Sequence, residues 1–338
     1  MGCPLTPLRA EASASCAALW LRVDPINIAM KLAKSVIALA ITIHTVSFLL
    51  MLKQVEPFYS CFYSIAWWTY IFFLAAINHL RAGNSLIFDR PREALWAFLF
   101  STTLWLFFEI FNFRLDNWNY VGVPTQIYIR WPGYFVAFGT VLPGIFETET
   151  MVLNLGIAKR IRFRRLRISR PLLVGSILLG TVMMIGPILA PQWFFPFVWL
   201  GLIFLVDPLF YWSAEAHDDS FSAQAERGDY SLVVRLLITG MICGLIWEFW
   251  NFWAGSKWVY SVPKLAFLKL FEMPLLGFFG FPPFALECYL AHRLSILIRE
   301  RCLRGSIVRY AIALVLLLAY CVLVFKGIDR YNVWTWTV

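Results

Sequence analysis

Nine apolar runs, each close to the length of a membrane-spanning helix, govern what this chain can fold into. They lie at about 33–52, 60–80, 92–113, 131–156, 171–190, 192–213, 231–253, 273–295 and 306–325. A helix crosses the hydrocarbon core of a bilayer with about 20 apolar residues. Composition agrees: the 338 residues are 60% hydrophobic and only 14% charged, with a mean hydropathy of +0.70. A soluble domain is typically about 25% charged. The expected fold is therefore all-α, a polytopic membrane protein of about nine transmembrane helices.

The net charge of +9 would suggest nucleic acid as the partner of a soluble protein. Here the basic residues sit between apolar runs, where they act as topology signals. No nucleic-acid partner is expected; the expected partners are membrane lipids and a lipid-like small molecule. The loop Lys159–Arg170 carries seven positive charges, and Arg293, Arg299, Arg301, Arg304 and Arg309 follow the eighth run. Four spans separate these loops, so both fall on the cytoplasmic side. The N-terminus is then cytoplasmic, in a cell membrane of the bacterial inner-membrane type. Residues 1–29 are small and polar and are read as a disordered or mis-called extension. Met30, with Lys31 and Lys34 just before a span, looks the more natural start. Met1-Gly-Cys-Pro-Leu-Thr6 fits an acylation pattern but is read as a chance match.

One pattern occurs twice. Glu109, Asn112 and Pro124 map onto Glu248, Asn251 and Pro263 with an offset of 139. Pro143 and Glu147 map onto Pro283 and Glu287 with an offset of 140. This predicts an internal duplication. It would give a first repeat over 30–157, a basic linker at 158–170, a second repeat over 171–296, and a final loop and helix at 297–338. Each repeat holds four helices, so the two run parallel, with one extra helix. Trp68–Leu74 resembles Trp199–Leu205, which pairs the second run with the sixth.

The repeated acids carry the functional expectation. Glu109 and Asn112 are three apart and share a helix face, as do Glu248 and Asn251. Glu147 and Glu287 lie deep inside apolar runs, after Pro143 and Pro283. Ionisable side chains at that depth cost about 2.5–3.5 kcal/mol on insertion scales and usually face a cavity. A carboxyl shut away from water keeps its proton more readily. The segments 132–144 and 274–283 are broken by Gly and Pro, and paired broken segments mark sites at a repeat interface. Glu109, Asn112, Glu147, Glu248, Asn251 and Glu287 are thus the expected catalytic set, around a cavity between the halves.

Other polar groups are weaker candidates. His44 is taken as a satisfied interior histidine, and Asp207 as a possible fifth acid. The loop Glu215–Asp219, with Glu226 and Asp229, reads as a solvated acidic loop and not as a metal cluster. Seven cysteines without a CxxC pair, and four histidines without metal spacing, predict neither a disulfide framework nor a metal site. No cofactor is expected.

The string Glu272–Glu287, with Trp247-Glu-Phe-Trp-Asn-Phe252 before it, resembles a group of bacterial multi-pass membrane proteins over most of residues 30–300. That resemblance implies no activity. A looser likeness runs to membrane-embedded lycopene cyclases and carotenoid hydratases, whose full motifs this chain lacks; it serves as analogy only. Two functions stay open. One is a membrane enzyme that protonates an isoprenoid or other lipid through its glutamates, with aromatic faces stabilising the cation. The other is a proton-coupled transporter of an apolar or amphipathic solute.

Overall fold

The structure, a computed structural model, describes residues 25–262 and 268–334. Pro263, Cys3, Cys16 and the Met1–Thr6 pattern lie outside those residues, as does most of the 1–29 extension.

The apolar runs form helices. In order they are α1 (Pro25–Leu52), α2 (Phe58–Ala82), α3 (Pro91–Leu115), α4 (Ile127–Phe138), α5 (Val141–Asn154) and α6 (Arg170–Leu189). Then come α7 (Gly201–Trp212), α8 (Ser231–Trp253), α9 (Phe281–Ile298) and α10 (Ile307–Tyr331). Seven helical segments are long and apolar enough to cross a bilayer, with α4 and α5 acting as one. Pro191–Trp199 and α7, bent at 44°, make an eighth if taken as one span. The run 273–295 is different. It is a 3₁₀ turn over Leu275–Gly280, then α9, and is not among the eight.

Local chemistry sets the helix ends. Pro91 opens α3 at a position where no amide is needed. Gly83 closes α2 with φ +60°, a conformation glycine adopts without a Cβ clash. Ser169 and Ser306 accept backbone amides at the starts of α6 and α10. The α4–α5 break at Gly139–Thr140 is bridged by Ser101 of α3. Its hydroxyl donates to the Phe138 carbonyl at 2.6 Å and accepts from the Leu142 amide at 3.1 Å. The break thus leaves neither group stranded. Gly240 and Gly244 let α8 meet the start of α9 closely: a Cβ on either would fall 2.3 Å from Phe281.

Burial sorts the helices. Only 17% of the most apolar window of α1 and of α6, and 22% of that of α10, is buried, against 67% for α4–α5. So much exposed apolar surface suits contact with lipid, not water.

One end of the bundle carries a small sheet that helical periodicity does not announce. Strand β1 (Trp118–Val121) pairs antiparallel with β2 (Lys257–Tyr260) and parallel with β3 (Val333–Trp334). These strands follow α3, α8 and α10, so the sheet ties three helix ends together. α10 is also clamped from the side. Asp329 accepts from Arg130 through both Nε (2.8 Å) and Nη2 (2.7 Å), from Trp131 Nε1 (2.9 Å) and from Tyr134 Oη (3.2 Å). This bidentate pair fixes α10 to α4.

At the other end the basic loop is an ordered strap. Phe163 and Leu166 donate backbone amides to Gly228 and Ala225, and the Tyr230 amide donates to Ile161. Every acid of the nearby loop has a partner: Glu215 with Arg301, Asp218 with Arg227, Asp219 with Arg293, Glu226 with Tyr211 and Asp229 with Arg162. Both basic loops therefore meet the same segment at the same end of the molecule.

Two tests follow. Asp329→Ala leaves Arg130 half-buried without its partner and should cost about 1.5–3 kcal/mol, read as a lowered Tm in detergent. The Ser231 hydroxyl and amide, and then Arg162, hold the Asp229 carboxyl below the usual carboxylate range. A depressed folded pKa gives stability that is full above the unfolded value, about 3.9, and lost as pH falls through the folded one. Hydrogen exchange at the 161–166 amides should stay slow at pH 5 and above and rise below about pH 4. Asp229→Asn should speed that exchange at pH 7.

Candidate functional site

The six expected residues are all fully buried, but they do not form one cluster. Asn112 and Asn251 act on the backbone. The Asn112 side chain donates to the Trp118 carbonyl at 2.8 Å and accepts from the Asn117 and Trp118 amides at 2.9 and 3.3 Å. Asn251 donates to the Trp258 carbonyl at 2.9 Å and accepts from the Trp258 amide at 3.0 Å. Each asparagine thus turns the chain from the end of its helix into its strand and fixes one tryptophan there.

Those strands bring tyrosines to the glutamates. Tyr120 Oη donates to Glu109 Oε1 at 2.5 Å, and Tyr260 Oη donates to Glu248 Oε1 at 2.7 Å. Trp105 Nε1 and Trp118 Nε1 also donate to Glu109 Oε1, at 2.8 and 3.1 Å. The second oxygens of Glu109 and Glu248 have no protein partner. Burial first, and then the neighbouring carboxyl, push both tyrosine hydroxyls well above their ordinary range, so both keep their protons. In the β1–β2 register Trp118 faces Tyr260, and Tyr120 faces Trp258.

Two cavities flank this arrangement. The larger, about 370 Å³, runs from Trp118 and Tyr260 to the 3₁₀ turn before α9 and to Trp199. The smaller, about 110 Å³, lies beside Tyr120 under α4. Trp105, Trp247 and Trp258 line both and form the wall between them. The indoles of Trp105 and Trp247 pack at 5.2 Å, and Phe108 stacks on Trp199 at 4.9 Å. The expected cavity lined by four glutamates and two asparagines is therefore arranged differently. Aromatic side chains form the lining, and Tyr120 and Tyr260 stand between the cavities and Glu109 and Glu248.

The two deeper acids stand apart from this pair. Glu147 is tied to the far end of the bundle: Oε2 accepts from Asn78 at 2.8 Å, and Oε1 from Ser85 Oγ at 2.8 Å and the Ile87 amide at 3.0 Å. Both of its oxygens are satisfied, as in a helix cap. Glu287 lies one helical turn beyond Phe284 of the cavity wall. Its Oε1 accepts from the Leu202 amide at 2.9 Å, at the start of α7 beside the bend, and its Oε2 has no partner. Asp207 accepts from the Phe221 and Ser222 amides and the Ser222 hydroxyl, so it holds a loop. His44 is paired with Thr69 at 2.9 Å. Among the described residues no group of three or more His, Cys, Asp or Glu could hold a metal ion.

The sequence reading found the glutamates and passed over the role of the tyrosines. The available signal was Trp118-Asn-Tyr120 against Trp258-Val-Tyr260, repeated at an offset of 140. Compared with protein-family models, with curated proteins and with solved structures, the chain matches none.

Replacing Asn251 with alanine removes both ends of the Trp258 clamp. The cost should be about 1–3 kcal/mol for the stranded backbone groups. It should appear as a lower Tm, with a shift in tryptophan emission as Trp258 loosens.

Proposed function

We propose that this is a membrane-embedded acid–base enzyme acting on an isoprenoid or other lipid. The observation that carries this reading is the pair of tyrosine–glutamate hydrogen bonds bordering aromatic cavities. A hydroxyl can both accept and donate. When Glu248 holds a proton, the bond to Tyr260 runs from acid to phenol, and the phenolic proton is free for the cavity. Transfer to an alkene carbon leaves a carbocation on the substrate, and the faces of Trp247 and Trp258 stabilise that charge. Loss of a proton from a neighbouring carbon, back through Tyr260 to Glu248, closes the cycle. The net change is an isomerisation or cyclisation that needs no co-reactant. Glu109 and Tyr120 repeat the same hydrogen-bonded pairing in the first half. Glu287, one turn from the cavity wall and with a free oxygen, is the reserve acid of this scheme; Glu147, with both oxygens already bound, braces the far end, and Asn251 and Asn112 position the strands.

The same reading takes the chain as two parallel repeats of four helices plus one. Three matched features support it: Asn112 and Asn251 hold equivalent backbone groups, Tyr120 and Tyr260 meet equivalent acids, and Trp118 and Tyr120 lie opposite Tyr260 and Trp258. The segment 275–298 is then the eighth crossing in chain order, and with α10 it brings the count to nine. The shared end of the basic loops supports a cytoplasmic N-terminus in a bacterial inner membrane.

A proton-coupled carrier is the second reading. The buried Glu287 carboxyl beside the 44° bend favours it, since broken helices often border transport sites.

The deciding experiment is chromatography with mass spectrometry of total lipids from an isoprenoid-accumulating host. Wild type should give a peak absent from the empty vector. Glu248→Gln should reduce it by about 10²–10⁴-fold with the protein still in the membrane. No peak, together with vesicle uptake of a solute that depends on Glu287, would replace the enzyme with the carrier.

A further inference from the structure

The two tyrosine–glutamate pairs differ in what surrounds them. Glu109 Oε1 has three close donors, Trp105, Trp118 and Tyr120, whereas Glu248 Oε1 accepts closely from Tyr260, with the Trp258 indole as a more distant neighbour. Beside Tyr120 the space is largely filled. Tyr134 stacks on Phe138 at 5.7 Å and meets Tyr120 at 5.8 Å, leaving about 110 Å³. At an offset of 140, the second half has Pro274 where Tyr134 stands and Gly277 where Ala137 stands. Both line the larger cavity of about 370 Å³. An apolar cavity of about 150 Å³ accepts benzene, so the larger one corresponds to roughly 15 carbon atoms.

Charge narrows the ligand further. None of the described residues lining the larger cavity is Lys, Arg, His, Asp or Glu. Among the described lining residues a buried phosphate or diphosphate meets no counter-charge, and a buried unpaired ion is strongly disfavoured. The smaller cavity does reach Arg130 and Lys257, but Asp329 and Glu272 already pair with them.

We propose that the two halves have diverged. The second-half cavity takes an uncharged terminal segment of an isoprenoid of roughly 15 carbons, with Tyr260–Glu248 as its working pair. The first-half pair, Tyr120–Glu109, holds Trp105 of the shared wall and Trp118 of the larger cavity's lining, and binds no ligand. This rests on the proposed reading of the cavities as lipid sites, and it adds which half acts and which end of the substrate enters.

Two glycines allow a matched test. A Cβ on Gly280 would lie 3.7 Å from Trp199, in ordinary contact, and both residues line the larger cavity. A Cβ on Gly133, which lines the smaller one, meets nothing within 4 Å. Gly280→Leu therefore adds bulk to the lining of one cavity and Gly133→Leu to the lining of the other, and Gly280→Ala is a milder change that the backbone admits. The full chain in lipid nanodiscs would be titrated with farnesol and with farnesyl diphosphate, and read by tryptophan fluorescence and thermal shift.

The expected result is farnesol binding to wild type and to Gly133→Leu with the same Kd. Binding should be at least tenfold weaker to Gly280→Leu and intermediate for Gly280→Ala, with farnesyl diphosphate at least tenfold weaker than farnesol throughout. Weakening by Gly133→Leu and not by the Gly280 variants would overturn the choice of half. Equal binding of the diphosphate would overturn the uncharged ligand, and no farnesol binding would overturn both. If Glu248→Gln binds farnesol normally while the lipid product persists, the acid–base reading fails and the site assignment stands.

Discussion

Two buried asparagine side chains decide the geometry of the sheet end. A chain that turns from a helix into a strand inside a protein must find partners for the backbone amides and carbonyls at the turn, and those groups are costly when water cannot reach them. Asn112 and Asn251 meet that demand by binding the backbone of the strand that follows. The strands can then lie back over the ends of α3 and α8 and pair with one another. Because β1 and β2 run antiparallel, each tryptophan falls opposite the other strand's tyrosine. The cavities, their shared indole wall and the carboxylates behind the tyrosines follow from that one pairing.

The arrangement separates two needs that a membrane site must reconcile. An apolar ligand requires a lining without charge, and acid–base chemistry requires an ionisable group near by. Phenol hydroxyls between cavity and carboxylate meet both. Tyr260 presents an aromatic face to the cavity and its oxygen to Glu248. Glu109 adds a further effect. By accepting two indole N–H groups it fixes Trp105 and Trp118, so a carboxylate outside the cavity shapes its wall.

Much of this was legible in the sequence, and the limits have physical causes. Apolar run length marks helices well, since the bilayer sets it. The run 273–295 has the right length and composition, but Pro274, Pro282 and Pro283 delay its α-helix to Phe281. The sheet was not legible because four-residue strands carry too little alternation to stand out from an aromatic-rich stretch. The repeated glutamates were conspicuous as charges in apolar surroundings, and that signal does not distinguish roles. Glu147 reads like Glu287, yet Ser85, Ile87 and Asn78 saturate it, while Glu287 keeps a free oxygen. Those partners come from α2 and the segment just after it, about 60–70 residues away, which no local pattern reveals.

The positions of the polar groups also bear on the choice between enzyme and carrier. A carrier needs its site to open to each side in turn, so the far half of the bundle would have to part. That half is held by Glu147 to α2 and the 83–90 loop, by Arg235 to Glu149, and by the strap to the 225–231 segment. The cavities instead lie near the sheet end, where the closing elements are short strands and a 3₁₀ turn. Short elements with few internal hydrogen bonds open at lower cost than packed helices. An apolar chain resting in the bilayer could thus put one end under the sheet without the helices moving apart. This favours chemistry on the end of a lipid over passage of a solute through the molecule.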